Sequence, residues 1–136
     1  MRVRFKDLSV SDIKMKKELL NAVDVVLTHG KILLGPEVKE FEEYIAKECG
    51  TKYAVGVGSG TDALYVSMKA LDIGPGDEVI TTPLSWIATI NAIVAVGAKP
   101  VFVDIEQDLN IDPDLIKNSI TNKTKAIMPV HFTGRL

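Results

Sequence analysis

The sequence is poor in the residues that build covalent links and metal sites. Its 136 residues include one cysteine and two histidines. The single thiol of Cys49 cannot form an internal disulfide, and one thiol with two imidazoles disfavours a zinc site. The chain also begins without an apolar stretch of the length of a signal peptide. We therefore expect a cytoplasmic protein that holds no metal.

An excess of charge of one sign and long apolar runs are also missing. Sixteen Lys and Arg stand against eighteen Asp and Glu, a net charge of -2, whereas a nucleic-acid surface needs clustered positive charge. The longest apolar segment, 86–96, is interrupted by Thr89 and Asn91. It is shorter than the ~20 residues that span a bilayer. The sequence thus predicts neither a nucleic-acid partner nor a membrane partner.

Alternating periodicities organise what is present. Apolar residues recur at helical spacing in 12–27, with Ser9 or Ser11 as the predicted cap, and again from Pro36 to Gly50. The predicted strands are then 53–57, 78–81, 100–104 and 125–130, and the predicted helices are 62–71, 85–96 and one that starts at Asp112-Pro113. This alternation indicates an α/β fold, a mainly parallel sheet with helices on both faces.

Two further expectations follow from the same pattern. The helix at 85–96 is apolar nearly all round, so we expect it to be covered on both sides. No linker or repeat divides the chain, which predicts one incomplete domain: N-terminal helices in 1–50 and the first part of an α/β domain in 51–136. The last predicted strand is followed only by a short loop, and we expect the domain to continue in a longer protein.

Segment 57–62 lies between a predicted strand and a predicted helix and holds Gly58, Ser59, Gly60 and Thr61. Glycines let the backbone approach a ligand, and the unpaired amides of a helix start attract anions. The hydroxyls of Ser59 and Thr61 add donors, so phosphate is the natural ligand. A capped helix after a tight turn explains the same residues without a ligand, and on this segment alone both interpretations stay open. The spacing matches neither the Walker loop nor the dinucleotide fingerprint.

Segment 82–89 follows the second predicted strand and contains Trp86. In an open α/β sheet, ligands bind outside the carboxyl ends of the strands, and the glycine-containing segment lies at that end too. Both segments can therefore face one pocket. Trp86 can stack there on a flat heteroaromatic ring, and its alternative role is a half-buried packing residue. His131, after the last predicted strand, stays unassigned.

Taken in order and spacing, the motifs resemble the sugar-aminotransferase family, to which perosamine synthase and related nucleotide-sugar enzymes belong. The segments that carry the resemblance are 35–38, 41–42, 53–57, 59–64, 76–80, 86–89, 97–104, 111–113 and 124–131. The resemblance implies a fold-type-I pyridoxal-phosphate architecture, of which this chain is the first part of the large domain. It also implies that Gly60 and Thr61, beside the Ser59 hydroxyl, hold the cofactor phosphate and that Trp86 stacks on the pyridine ring.

The family reaction moves an amino group from a donor such as glutamate to a keto sugar carried on a nucleotide. The resemblance further implies a homo-oligomer, because fold-type-I enzymes build each active site from two chains, and we expect residues 12–36 to contribute to the subunit contact. The family's imine-forming lysine and its acidic partner of the ring nitrogen have no counterpart in residues 1–136. We therefore predict that this chain alone catalyses no amino transfer and binds the cofactor weakly or not at all.

Three classes of function remain open on the sequence. The chain is a piece of an aminotransferase, a family member used as a sensor or regulator, or a non-catalytic module that binds phosphate or a nucleotide. The nucleotide sequence just beyond Leu136 separates the first class from the others, because an in-frame continuation would carry the missing lysine and acid.

Overall fold

The computed structural model describes residues 8–135. Within this part of the chain the elements are α1 (Ile13–His29), α2 (Pro36–Glu48), α3 (Gly60–Ala70), β1 (Glu78–Thr81), α4 (Ile87–Ala95), β2 (Lys99–Phe102), α5 (Pro113–Ser119) and β3 (Thr124–Met128). All the predicted helices and the last three predicted strands are confirmed, with ends that shift by a few residues. The chain divides into two compact units between Gly56 and Val57. The assignment of residues 1–136 to one incomplete domain, with N-terminal helices in 1–50 and the first part of an α/β domain in 51–136, stays a prediction.

Helix α1 is delimited by local hydrogen bonds at both ends. The Asp12 side chain accepts from the Met15 amide at 3.0 Å, so the predicted cap at Ser9 or Ser11 is wrong. At the other end Gly30 adopts a left-handed conformation, with φ of 70°, which glycine tolerates without a steric penalty. The 17 residues of α1 include none that is buried. The helix therefore leaves its apolar side chains uncovered in the described chain.

The connection from α1 to α2 is held by His29, a residue at the end of α1. Its Nε2 lies 2.9 Å from the Glu37 carboxylate, and its Nδ1 accepts from the Lys31 amide at 3.0 Å. Helix α2 then begins with proline in its first turn after Gly35, a position where the missing amide costs nothing. A hydrogen bond from the Glu37 backbone amide to its own carboxylate lowers the pKa of Glu37 most, and the hydrogen bond and the charge of His29 lower this pKa further.

The predicted strand at 53–57 is wrong for the described chain. These residues have no regular secondary structure, and the Gly56 amide donates to the Glu42 carboxylate at 2.7 Å. A strand exists only through hydrogen bonds with a neighbouring strand, and no described residue pairs with this segment. The side chains of Tyr53 and Val55 are accordingly exposed.

The second unit is built on a parallel sheet with strand order β2-β1-β3. The central strand β1 is buried along its whole length. Alternate residues point to opposite faces: Val79 belongs to the cluster that packs under α3 and α4, and Ile80 to the one that includes Ile116 of α5. The mainly parallel sheet with helices on both faces is therefore confirmed.

Helix α4 is covered on one side only in the described chain. Thr89, Ala92 and Ile93 are buried, whereas Ile87 and Val94 are more than half exposed. The expectation of cover on both sides is thus wrong for residues 8–135. No helix among these residues is long and apolar enough to cross a membrane.

Candidate functional site

Helices α3 and α4 begin at the same edge of the sheet. Helix α4 follows the carboxyl end of β1, and α3 ends shortly before the amino end of that strand. The two helices pack against each other, and both contribute to the apolar cluster on the Val79 face of the sheet. Their N-termini therefore lie together at the carboxyl edge, where open α/β sheets bind ligands.

The first turn of α3 presents amide groups that no side chain satisfies. Ser59 is the N-cap residue, and its hydroxyl accepts from the Asp62 amide at 3.1 Å. The amides of Gly60 and Thr61 make no hydrogen bond within the described chain, because the first amides of a helix have no partner inside it. A Cβ added to Gly60 would meet open space. The turn is thus capped and still offers two free donors.

The turn itself carries one acidic side chain, that of Asp62, and no basic one. The Asp62 carboxylate folds back toward Gly58, where an added Cβ would lie 2.8 Å from its Oδ2. Segment 57–62 contains no lysine or arginine. Segment 57–62 itself can therefore offer an anion only amides, hydroxyls and the helix dipole, and the Asp62 carboxylate competes for the same positive end of the helix.

Trp86 stands at the start of α4 with its ring in solvent. It is the N-cap residue, and its side chain is 77% exposed. The indole makes no hydrogen bond within residues 8–135, whereas the backbone carbonyl accepts from the Thr89 amide at 3.1 Å. Within residues 8–135, Trp86 is therefore not a half-buried packing residue, the alternative that the sequence left open.

The family assignment rests on a match over nearly the whole chain. A profile of the DegT/DnrJ/EryC1/StrS aminotransferase family matches residues 13–136. The chain belongs to this family. The assignment confirms the resemblance to sugar aminotransferases that the motifs indicated. A solved structure of NtdA from Bacillus subtilis, with bound cofactor PMP, shares the fold of this family member with a TM-score of 0.88 and 40% identity.

Two curated relatives differ in what their names describe. The UDP-2-acetamido-2-deoxy-3-oxo-D-glucuronate aminotransferase of Pseudomonas aeruginosa is 42% identical over 98% of the chain. The Pleiotropic regulatory protein of Geobacillus stearothermophilus is also 42% identical, over 100% of the chain. The chain spans 37% of the length of each of these relatives. The structural match to NtdA includes 92% of this chain and 29% of the NtdA chain.

Sequence reasoning missed the hydroxyl groups beside Trp86. Ser85 Oγ lies 2.7 Å from Thr89 Oγ1 and 3.2 Å from the Trp86 carbonyl oxygen. The sequence carried part of the signal, because Thr89 and Asn91 interrupt an otherwise apolar segment, but the burial of Thr89 is visible only in the structure. His131 lies exposed in the turn after β3. Within residues 8–135, no group of three His, Cys, Asp or Glu side chains is arranged to hold a metal.

Proposed function

We propose that this chain supplies the phosphate-binding and ring-stacking part of a pyridoxal-phosphate site in a nucleotide-sugar aminotransferase. One observation carries the proposal: the free amides of Gly60 and Thr61 and the exposed ring of Trp86 lie at the same edge of one sheet. A phosphate needs the first feature and a flat pyridine ring needs the second. The substrate class comes from family membership and from the keto-sugar substrate in a relative's name.

Each residue has a distinct part in holding the cofactor. The amides of Gly60 and Thr61 donate to the phosphate, and the hydroxyl hydrogens of Ser59 and Thr61 add two further donors. Trp86 presents its ring face to the pyridine. Pyridoxal phosphate, when bound, supplies an electron-accepting ring on which amino groups are exchanged between an amino-acid donor and a keto sugar.

The residues present fit the phosphate and the ring but not the whole reaction. Amino transfer also needs a lysine amine that moves a proton and an acid beside the ring nitrogen. None of residues 1–136 matches either group in the family pattern. The reaction is therefore proposed for a protein that combines this segment with both groups, and the 136-residue polypeptide by itself is expected to show no turnover.

We also propose that the protein works as a homo-oligomer in the cytoplasm. The support is an apolar groove of ≈ 470 Å³ on the first unit, lined mainly by α1 residues, among them Leu19, Val23 and Leu27. The following loop exposes Leu33 and Leu34 almost completely. Apolar surface of this extent marks an interaction site, and it lies within the segment 12–36 that was expected to meet a second subunit.

Calorimetric titration with pyridoxamine phosphate tests the cofactor assignment. This form of the cofactor has no aldehyde, so it cannot label surface lysines. Of the two outcomes predicted from the sequence, weak binding and none, the unpaired amides and the exposed ring favour weak but saturable binding to the 136-residue chain. We expect inorganic phosphate to compete, and pyridoxamine, which lacks the phosphate, to bind much more weakly. Trp86→Ala should weaken binding by about tenfold, the worth of one stacked aromatic contact, without unfolding the protein. Equal binding of both ligands, or no effect of Trp86→Ala, would refute the assignment.

A regulatory role is the second candidate, and the name of the Geobacillus stearothermophilus relative favours it. A regulator of this family and an aminotransferase can both bind the cofactor, so binding does not separate them. Amino transfer from glutamate to a nucleotide-linked keto sugar does separate them. The assay requires the product of the complete reading frame, as read from the gene. A module that binds a nucleotide or phosphate alone would bind a nucleoside diphosphate in preference to pyridoxamine phosphate.

A further inference from the structure

Helix α4 starts with an unusual residue for its position. Ser, Thr, Asp and Asn are the preferred N-cap residues because their side chains satisfy free amides of the first turn. Here the N-cap is Trp86, which makes no capping hydrogen bond, and Ser85 stands one residue too early to cap. The other two helices of this unit are capped by Ser59 and Asp112. Local rules that are broken in one place point to a requirement of function there.

The hydroxyl of Ser85 is used in another way. It lies 3.2 Å from the Trp86 carbonyl oxygen and 2.7 Å from Thr89 Oγ1. One hydroxyl hydrogen cannot serve both contacts, and a carbonyl oxygen can only accept. The arrangement that uses every group has Ser85 donating to the Trp86 carbonyl while Thr89 donates to Ser85 Oγ. The two side chains thus form a short chain of hydrogen bonds that ends on the backbone carbonyl of Trp86.

The surrounding loop is braced, and the tryptophan ring is not. The Ser85 amide donates to the Pro83 carbonyl at 3.0 Å, and Thr82 Oγ1 accepts from the Leu84 amide at 3.3 Å. Thr89 is only 6% exposed, so its hydroxyl is held firmly. Trp86 as a residue is 77% exposed. Its placement in solvent therefore depends on the backbone that carries it.

We propose that Ser85 and Thr89 are positioning residues that hold the backbone of Trp86, so that its ring stands ready at the carboxyl edge of the sheet to stack on a planar ligand. The proposal rests on the proposed function in one respect, the identity of that ligand as the pyridine ring of the cofactor. Preorganisation of this kind raises affinity because less freedom is lost on binding.

The fluorescence of Trp86 gives a direct test. It is the only tryptophan in the 136-residue sequence, so time-resolved anisotropy without ligand reports its motion alone. Thr89→Val keeps the shape and removes the hydroxyl, and we expect a larger amplitude of fast depolarisation than in the unmodified chain. Thr89→Ser restores a hydroxyl and should restore the anisotropy. Ser85→Ala removes the hydroxyl that connects Thr89 to the Trp86 carbonyl and should behave like Thr89→Val. It replaces Thr89→Val in the test if that buried substitution impairs folding.

A matched control comes from α5. Ser119 Oγ donates to the Leu115 carbonyl at 3.0 Å, so Ser119→Ala removes a hydroxyl–carbonyl bond from another helix and should leave Trp86 unchanged. Affinity for pyridoxamine phosphate should fall by up to about tenfold in Thr89→Val and Ser85→Ala, the effect of one net hydrogen bond. Unchanged anisotropy in both folded variants would overturn the positioning role even if the cofactor binds. Absence of cofactor binding in the unmodified chain would instead overturn the proposed function and leave the anisotropy result standing.

Discussion

The hydroxyl residues Ser59 and Thr61 of the glycine-containing loop differ in their hydrogen bonds. This difference bears on whether the loop is only a capped turn or also a phosphate site. The Ser59 hydroxyl oxygen accepts from the Asp62 amide as a helix cap, and its hydrogen can still donate to a ligand. The Thr61 hydroxyl makes no hydrogen bond within the described chain, and the side chain is exposed. The sequence alone could not distinguish these roles, because both residues suit a capped turn and a phosphate site equally well. The structure shows that capping occupies one residue only.

Paired substitutions test the capping role of Ser59 and the phosphate-binding role of Thr61. Ser59→Ala should lower the free energy of unfolding by about 1 kcal/mol through loss of the cap. Thr61→Val keeps the side-chain volume and should change stability by less than about 0.5 kcal/mol, yet weaken the binding of pyridoxamine phosphate by about tenfold or more, because it removes a donor to a charged group. Urea denaturation and calorimetric titration measure the two effects. If Thr61→Val binds the ligand as the unmodified chain does, the threonine hydroxyl is not part of the phosphate site.

At the scale of helices and strands, the helix starts marked by proline and the parallel sheet were predicted correctly, whereas the cap of α1 and the strand at 53–57 were not. Gly35-Pro36 and Asp112-Pro113 mark helix starts because caps and fixed proline angles act within a few residues. The strand expected at 53–57 failed because the same local preference forms a strand only beside a partner. The exposed side of α4 has a similar cause. An apolar helix surface indicates that another element can pack on it, but it does not show that such an element is present in the same chain.

Glu78 links the strands at the amino edge of the sheet, opposite the candidate site. It begins β1, accepts from Thr121 Oγ1 at 2.7 Å and lies 3.2 Å from Lys99 Nζ of β2. The hydrogen bond from Thr121, and then the one from Lys99, lower the pKa of Glu78 from its ordinary value of 4.5. The folded state therefore binds this proton less readily than the unfolded state. Its contribution to stability is present above pH 4.5 and is lost as the pH falls through the lowered pKa.

Acid titration of stability tests this edge contact. Glu78→Gln should lower the urea midpoint at neutral pH and lose less further stability than the unmodified protein when the pH falls below 4.5. Glu43→Gln is a suitable control, because Glu43 forms only an exposed pair with Lys39 on α2. It should keep the acid-side slope of the unmodified protein. Parallel slopes for Glu78→Gln and the unmodified chain would show that Glu78 does not govern acid stability.

For the whole molecule, the sequence predicted the family and the order of the elements but not which surfaces stay uncovered. The order of the motifs can be read from the sequence because each motif is a short, continuous segment. The family match over residues 13–136 confirms the resemblance that these motifs indicated. Whether an apolar surface is buried depends on contacts with other elements, and a short motif does not specify these contacts. In the described chain, α1 and the loop that follows it leave several apolar residues uncovered, among them Leu20, Leu33 and Leu34, which are each more than half exposed.

This surface leads to the prediction that the 136-residue chain associates with itself through α1. Each leucine removed from water contributes about 1.5–3 kcal/mol, so a few such side chains suffice to drive association. The double variant Leu19→Lys with Val23→Lys places charges in the apolar groove and should shift the chain toward monomer in sedimentation equilibrium. Asn21→Lys with Thr28→Lys adds the same charge at positions about half a turn away on α1 and should associate as the unmodified chain does. A monomeric unmodified chain across the accessible concentration range would contradict the prediction. Equal loss of association in both double variants would assign the effect to charge rather than to the groove.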